Sequence, residues 1–220
     1  MRPWRRPWAA VLGSLAAASL CLSAETPPDS IYQFHAKLTT QTATTVGLDL
    51  YRGHPTLIGM FYGSCPAACP MLITAMQVYE SHLDASSQAR LRVLLVSFDA
   101  ARDTPPKLEA LAHSHRADAA RWTFASADET DSRAIAALLG FSYRRLPNGD
   151  FDHSLLITLL DEEGRIAATT TTLVADEQFQ AKLRAATQGD KGERHSGARR
   201  DARAIGPAPS RLPPPGSPGP

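Results

Sequence analysis

Residues 61–73, FYGSCPAACPMLI, set two cysteines four positions apart, each followed by a proline, directly behind an apolar run. That run, TLIGMFY at 56–62, is continuous rather than alternating, as a strand buried on both faces requires. The residues that follow, MLITAMQVYESHL, are apolar at 72, 75, 76 and 79, the spacing of one helix face. Cys65 and Cys69 therefore sit where a core strand ends and a helix begins. A helix N-terminus offers free amides and the positive end of its dipole, which favour thiolate over thiol and make sulfur both a nucleophile and a soft metal ligand. Positions i and i+4 share a helix face, about 6 Å apart at Cα, so a disulfide and joint coordination of one metal ion are both open. Pro66 suits a first helical turn, and Pro70 removes an amide just after Cys69.

Outward from this segment the chain alternates. IYQFHAKL (31–38) and TTVGLDLY (44–51) read as an opening hairpin. RLRVLLVSF (90–98) is a second buried strand, and TPPKLEALAHSH (104–115) a helix with Thr104 as N-cap and Pro105 at its first position. RWTFAS (121–126) is a short strand. SADETDSRAIAALLG (126–140) is a helix, with Ser126 and Glu129 spaced as a capping box and Gly140 as the stop. PNGD (147–150) is a turn, SLLITLL (154–160) a strand, DEEG a turn, RIAATTTTL (165–173) its antiparallel partner, and 176–186 a last helix. Strands alternating with helices imply an α/β fold, a central sheet flanked by helices and closed by an antiparallel pair. With the cysteines at the end of its first core strand, the arrangement is thioredoxin-like, with an added N-terminal β-hairpin and a mixed sheet.

The ends differ from this body. Arg2, Arg5 and Arg6 precede PWAAVLGSLAAASLCLSA, an apolar run with no acidic residue before Glu25 and small residues Ser23 and Ala24 at its end. That layout predicts a signal peptide or an N-terminal membrane anchor over 1–24, and hence a periplasmic protein, free or held at the inner membrane. Export leaves two cysteines, enough for a single disulfide and no more. Residues 25–186 form one domain and carry 14 Lys plus Arg against 19 Asp plus Glu. Such a body recruits neither nucleic acid nor acidic lipid by charge. Residues 187–220 are rich in Gly, Pro and Arg, with almost no large apolar side chain, and are expected to be disordered.

Two thiolates leave a soft cation under-coordinated, and imidazole is the usual third ligand. Of seven histidines, His35 and His54 lie on or beside the hairpin, His82, His113 and His115 on helix surfaces, and His195 in the tail. His153, in DFDHSLLITLL, directly precedes a core strand. In a thioredoxin-like sheet the loop before that antiparallel strand faces the start of the cysteine helix, so Cys65, Cys69 and His153 can converge. Met71 and Met76 are thioethers with an affinity for Cu(I), but methionine in an apolar helix reads first as core. Phe61 and Tyr62 end the strand beside Cys65, as shields of the site or as packing.

YGSCPAACP, VSFDAARDTPPKLEALA and DHSLLITLLDEEGRI, in this order and spacing, resemble the Sco/SenC family of thioredoxin-like copper proteins, from about Phe34 to Leu173. The resemblance implies copper held by Cys65, Cys69 and His153 and delivered to the dinuclear copper centre of cytochrome c oxidase, with an oxidase subunit or another copper protein as recipient. It also implies a possible thiol-reductant role. Where the family commonly has an acidic residue after the first Cys-Pro, this chain has Ala67. Asp99 matches the family's acid at a strand end and reads as a helix-entry cap, or as a group that orients a neighbour or tunes a thiol. Arg102 and Asp103 read as a local ion pair or cap.

The rival reading is an enzyme. Cys65 and Cys69 would act as a catalytic redox pair in a periplasmic thiol-disulfide oxidoreductase, one attacking a partner's disulfide and the other resolving it, with no need of His153. A peroxiredoxin-like peroxidase would want a threonine shortly before its cysteine, where Gly63 and Ser64 stand. A purely structural disulfide across four residues closes a loop too small to stabilise much.

Overall fold

The structure is a computed structural model that describes residues 26–65 and 68–189. The expectations for the leader, for Pro66 and Ala67, and for 190–220 lie outside the described residues. A hairpin of β1 (Leu38–Thr40) and β2 (Thr45–Val46) opens the fold. Then come β3 (Thr56–Phe61), α1 (Ala68–Ser81), α2 (Ala85–Arg90), β4 (Arg92–Ser97), α3 (Pro105–Ser114), β5 (Trp122–Ala127) and α4 (Glu129–Leu139). β6 (Tyr143–Arg145) and β7 (Phe151–His153) form a hairpin, β8 (Ile157–Leu160) and β9 (Ile166–Thr170) another, and α5 (Glu177–Gln188) follows. One seven-stranded sheet runs β2-β1-β5-β4-β3-β8-β9, while β6 and β7 make a separate two-stranded ribbon.

The sheet is mixed. β3, β4 and β5 are parallel neighbours, and β1 and β8 join them antiparallel on either side. Every residue of β3 is buried, as its unbroken apolar run demands, and β4 is buried from Val93 onward. Leu57, Ile58, Phe61, Leu72, Ile73, Met76, Trp122 and Phe124 are among the largest fully buried side chains, filling the space between sheet and helices. The three parallel strands all end at one pole, and that pole carries the cysteine segment. Among the described residues no helix is long and apolar enough to cross a membrane.

The thioredoxin-like mixed sheet with an added N-terminal hairpin is as expected, and its departures are local. The opening hairpin is short, because Ile31–Gln33 and Leu48–Tyr51 wind into 3-10 turns. α2 was not expected. Its six residues, ASSQAR, have no apolar stripe, and only the Asp84 cap, which accepts from the Ser87 amide at 2.8 Å, marks it. α4 is capped by Asp128, which accepts from the Asp131 amide at 2.8 Å, and not by the expected Ser126, which is the penultimate residue of β5. Gly140 ends α4 in the left-handed conformation, at φ 72°. α5 continues to Gln188, two residues past the expected end, with the buried Thr187 hydroxyl donating to the Leu183 carbonyl at 2.8 Å.

Candidate metal centre

β3 runs out at Phe61, and the chain turns through Gly63 and Ser64 before reaching Cys65. The turn is held from the loop that follows the neighbouring strand β4. The buried Asp103 carboxylate accepts from the Gly63 amide at 2.7 Å and from the Ser97 hydroxyl at the end of β4. A Cβ at position 63 would meet Asp103 Oδ1 at 2.6 Å, so glycine is what permits this approach. The Cys65 amide donates to the Tyr62 carbonyl at 3.2 Å, and the Cys69 amide to Cys65 Sγ at 3.4 Å. That second bond puts the Cys65 sulfur at the amino end of α1, beside amides with no helical partner. Cys65 is 9% exposed and Cys69 3%; neither is in a disulfide.

His153 reaches the same place from β7. It pairs in register with Tyr143 of β6, and its ring rests among Tyr62, Phe98 and Phe141, with centroids at 5.7, 5.9 and 6.0 Å. Its Nδ1 lies 2.7 Å from the Ser154 carbonyl oxygen. A carbonyl only accepts, so Nδ1 carries the proton and Nε2 presents the lone pair, the arrangement that a hydrogen bond from the other ring nitrogen imposes on metal-ligating imidazoles. One donor atom each from Cys65, Cys69 and His153 lie within 4.8 Å of one another. No other group of three or more such side chains close enough to share a metal ion occurs among the described residues.

The electrostatics correct one expectation. The helix terminus was expected to lower the thiol pKa of the pair, but at Cys69 burial outweighs it and pushes the thiol well above its ordinary range. A backbone bond from Tyr62 acts against this, and the nearby Cys65 adds to it. Cys69 is thus a protonated thiol at neutral pH until a cation repays the desolvation of its thiolate. The Tyr62 hydroxyl is raised to about 12, first by burial and then by the charge of Cys65. Aromatic packing explains Phe61, which meets Phe124 edge-on at 6.1 Å; Tyr62 packs on Phe98 and Phe151 at 5.6 and 5.1 Å and also lies against the His153 ring at 5.7 Å, so it covers the site as well.

The loop after β4 also differs from expectation. Asp99 is not the helix-entry cap, for Thr104 holds that place in an extended conformation with Pro105 behind it. Its fully buried carboxylate instead takes Arg102 on Oδ2 and, at 3.3 Å on Oδ1, Arg145 of β6. Arg102 and Asp103 part company: Arg102 joins Asp99, and Asp103 holds the cysteine turn. Met76 is buried in the core, while Met71 is 54% exposed on α1. His54 Nδ1 is 3.2 Å from the Arg90 carbonyl, far down β3 from the cysteines. Sequence reasoning gave Asp103 the wrong partner and missed Arg145. Asp103 gave a weak sign in its motif; Arg145 gave none, because its partner lies 46 residues away.

The SCO1/SenC family matches residues 24–188. The mitochondrial protein SCO2 of Saccharomyces cerevisiae is 30% identical over 119 residues, which are 52% of this chain and 39% of that protein, so the chain spans about two fifths of its relative's length. Among solved structures, copper-bound ScoI of Bradyrhizobium japonicum is 24% identical with a TM-score of 0.55, covering 70% of this chain and 98% of its own. Copper-bound yeast Sco1 is 15% identical, with a TM-score of 0.61 and coverages of 74% and 92%. BsSco, a member of the Sco family of cytochrome c oxidase assembly proteins, is 17% identical, with a TM-score of 0.60 and coverages of 76% and 98%. At such identities these likenesses speak for the fold alone. The family match runs from just before the first described residue to the last residue of α5 and takes in the cysteine segment, the loop after β4 and the histidine ribbon: the chain belongs to the SCO1/SenC family.

Proposed function

We propose that this protein binds one copper ion through Cys65 Sγ, Cys69 Sγ and His153 Nε2 and delivers it to the dinuclear copper centre of cytochrome c oxidase. The observation that carries the reading is the convergence of one donor atom from each of Cys65, Cys69 and His153 within 4.8 Å, brought from two separate parts of the chain to one pole of the sheet. Two thiolates and an imidazole suit Cu(I), and a three-ligand site leaves room for an incoming sulfur or nitrogen. Transfer is then ligand exchange: a donor on the recipient adds as one of these three leaves, and no electron need move. Copper seen in the ScoI of Bradyrhizobium japonicum and in yeast Sco1 supports the choice of metal. The recipient is an oxidase subunit that lacks its copper.

The protein is read as exported, with 1–24 as a signal peptide or anchor, and as acting in the periplasm. With Cys65 and Cys69 outside any disulfide, an oxidising compartment makes copper loading depend on thiol redox state, because the disulfide offers no thiolate. The proximity of the two sulfurs favours one second reading, that Cys65 and Cys69 reduce a partner's disulfide and end as a disulfide themselves, two thiol protons passing to the partner's sulfurs. BsSco, with its disulfide switch, keeps that reading in view. Titrating copper into the reduced chain, beside His153→Ala, separates the two. Copper delivery predicts one tight equivalent that His153→Ala weakens; a reductase alone predicts no tight equivalent and disulfide exchange indifferent to His153.

A further inference from the structure

His153 is the ligand that the main sheet does not hold. It lies on the β6–β7 ribbon, which shares no strand pairing with the seven-stranded sheet. Its attachment beside the site is a charged clamp laid over an aromatic layer. Asp99, in the loop after β4 and fully buried, accepts from Arg102 on one oxygen and from Arg145 of β6 on the other. Arg102 also donates through Nη2 to the carbonyl of Gly149, in the turn of the ribbon, at 3.0 Å. Both guanidinium groups lie over the ring of Phe151, at 5.7 and 5.1 Å, and Phe151 is the cross-strand neighbour of Arg145. Alternate residues of a strand share a face, so Phe151 and His153 point the same way, and both rest on Tyr62 and Phe98.

From this geometry we propose that Asp99, acting through Arg102 and Arg145, is the positioning residue of His153: it fixes the ribbon so that the imidazole meets the two sulfurs. The proposal rests on the metal reading of Cys65, Cys69 and His153. A buried carboxylate without its cations is strongly unfavourable, so the clamp is kept shut wherever both arginines are in place. Opening it frees the ribbon and the third ligand while both thiols, anchored through β3 and α1, stay put. The clamp therefore governs the nitrogen ligand and not the sulfurs.

The test uses the full reduced chain and one equivalent of Cu(II), read by the thiolate-to-copper absorption band and by imidazole nitrogen coupling in pulsed electron paramagnetic resonance. Arg145→Ala is the first variant, because its side chain is 60% exposed and its loss spares the core. Asp99→Asn is the second. Both are expected to keep the thiolate band, to lose most of the nitrogen coupling, and to bind copper about 10- to 100-fold more weakly, the usual cost of removing a group that orients a metal ligand. Arg145→Lys should restore part of the coupling. In a His153→Ala background, Arg145→Ala should change nothing further, because the two act through one ligand. A merely structural role would lower the melting temperature and leave the coupling and affinity of wild type; that result overturns the clamp while the metal reading stands. If wild type itself shows no nitrogen coupling, the metal reading fails, and the clamp falls with it.

Discussion

At the scale of single residues, the site depends on side chains that never touch the metal. Asp103 is the clearest: buried, it ties the cysteine turn to the end of β4 through the Gly63 amide and the Ser97 hydroxyl. Asp103→Ala strands both donors and is expected to cost about 1–3 kcal/mol in urea unfolding, whereas Asp103→Asn, which keeps an acceptor, costs less. Gly63→Ala attacks the same contact from the other side, since its Cβ would sit 2.6 Å from the carboxylate, and should destabilise comparably. Asp118 gives a pH signature. The Ala120 amide, and after it Arg121, hold its carboxyl below the ordinary carboxylate range. A folded-state pKa below the unfolded value of about 3.9 adds stability above that value, lost as pH falls through the folded pKa. Wild type should therefore be more stable than Asp118→Asn at neutral pH, with the difference shrinking below about pH 4 in acid-unfolding curves.

At the scale of elements, what was legible in the sequence was what one element states by itself. β3 and β4 announce themselves by unbroken apolar runs, α3 by Thr104 and Pro105, and the end of α4 by Gly140. What escaped depends on neighbours. The β6–β7 ribbon was read only as the turn at its tip, because three-residue strands with two arginines carry no period-2 signal; their packing against Phe98 and their tie to Asp99 make them strands. His153 was placed correctly along the chain, but in a loop before β8 rather than in β7. The cap of α4 slipped by two residues because Ser126 and Asp128 both have Ncap chemistry, and the pairing of Ser126 with Ser97 and Thr39 keeps it in the sheet. That assignment is testable: Asp128→Ala should cost about 1 kcal/mol of thermal stability, while Ser126→Ala leaves helix capping intact.

At the scale of the whole molecule, the sheet separates its two poles by task. Cys65, Cys69 and His153 gather where β3, β4 and β5 end. The described chain ends lie at the other pole: Ile31 is bonded to the β8–β9 turn at Gly164, Thr26 to Arg52, and Gly189 lies against Arg90, which pairs with Glu162. Because the two thiolates come from one short segment and the imidazole from a separate ribbon, losing the ribbon's contribution should leave a two-sulfur site and not an empty one. The most direct test is X-ray absorption at the copper K-edge on the chain loaded with one equivalent of Cu(I). A Cys65–Cys69–His153 site predicts two sulfurs and one imidazole nitrogen around the metal, falling to two sulfurs in His153→Ala. A shell without sulfur, or one that is the same in wild type and His153→Ala, would contradict it.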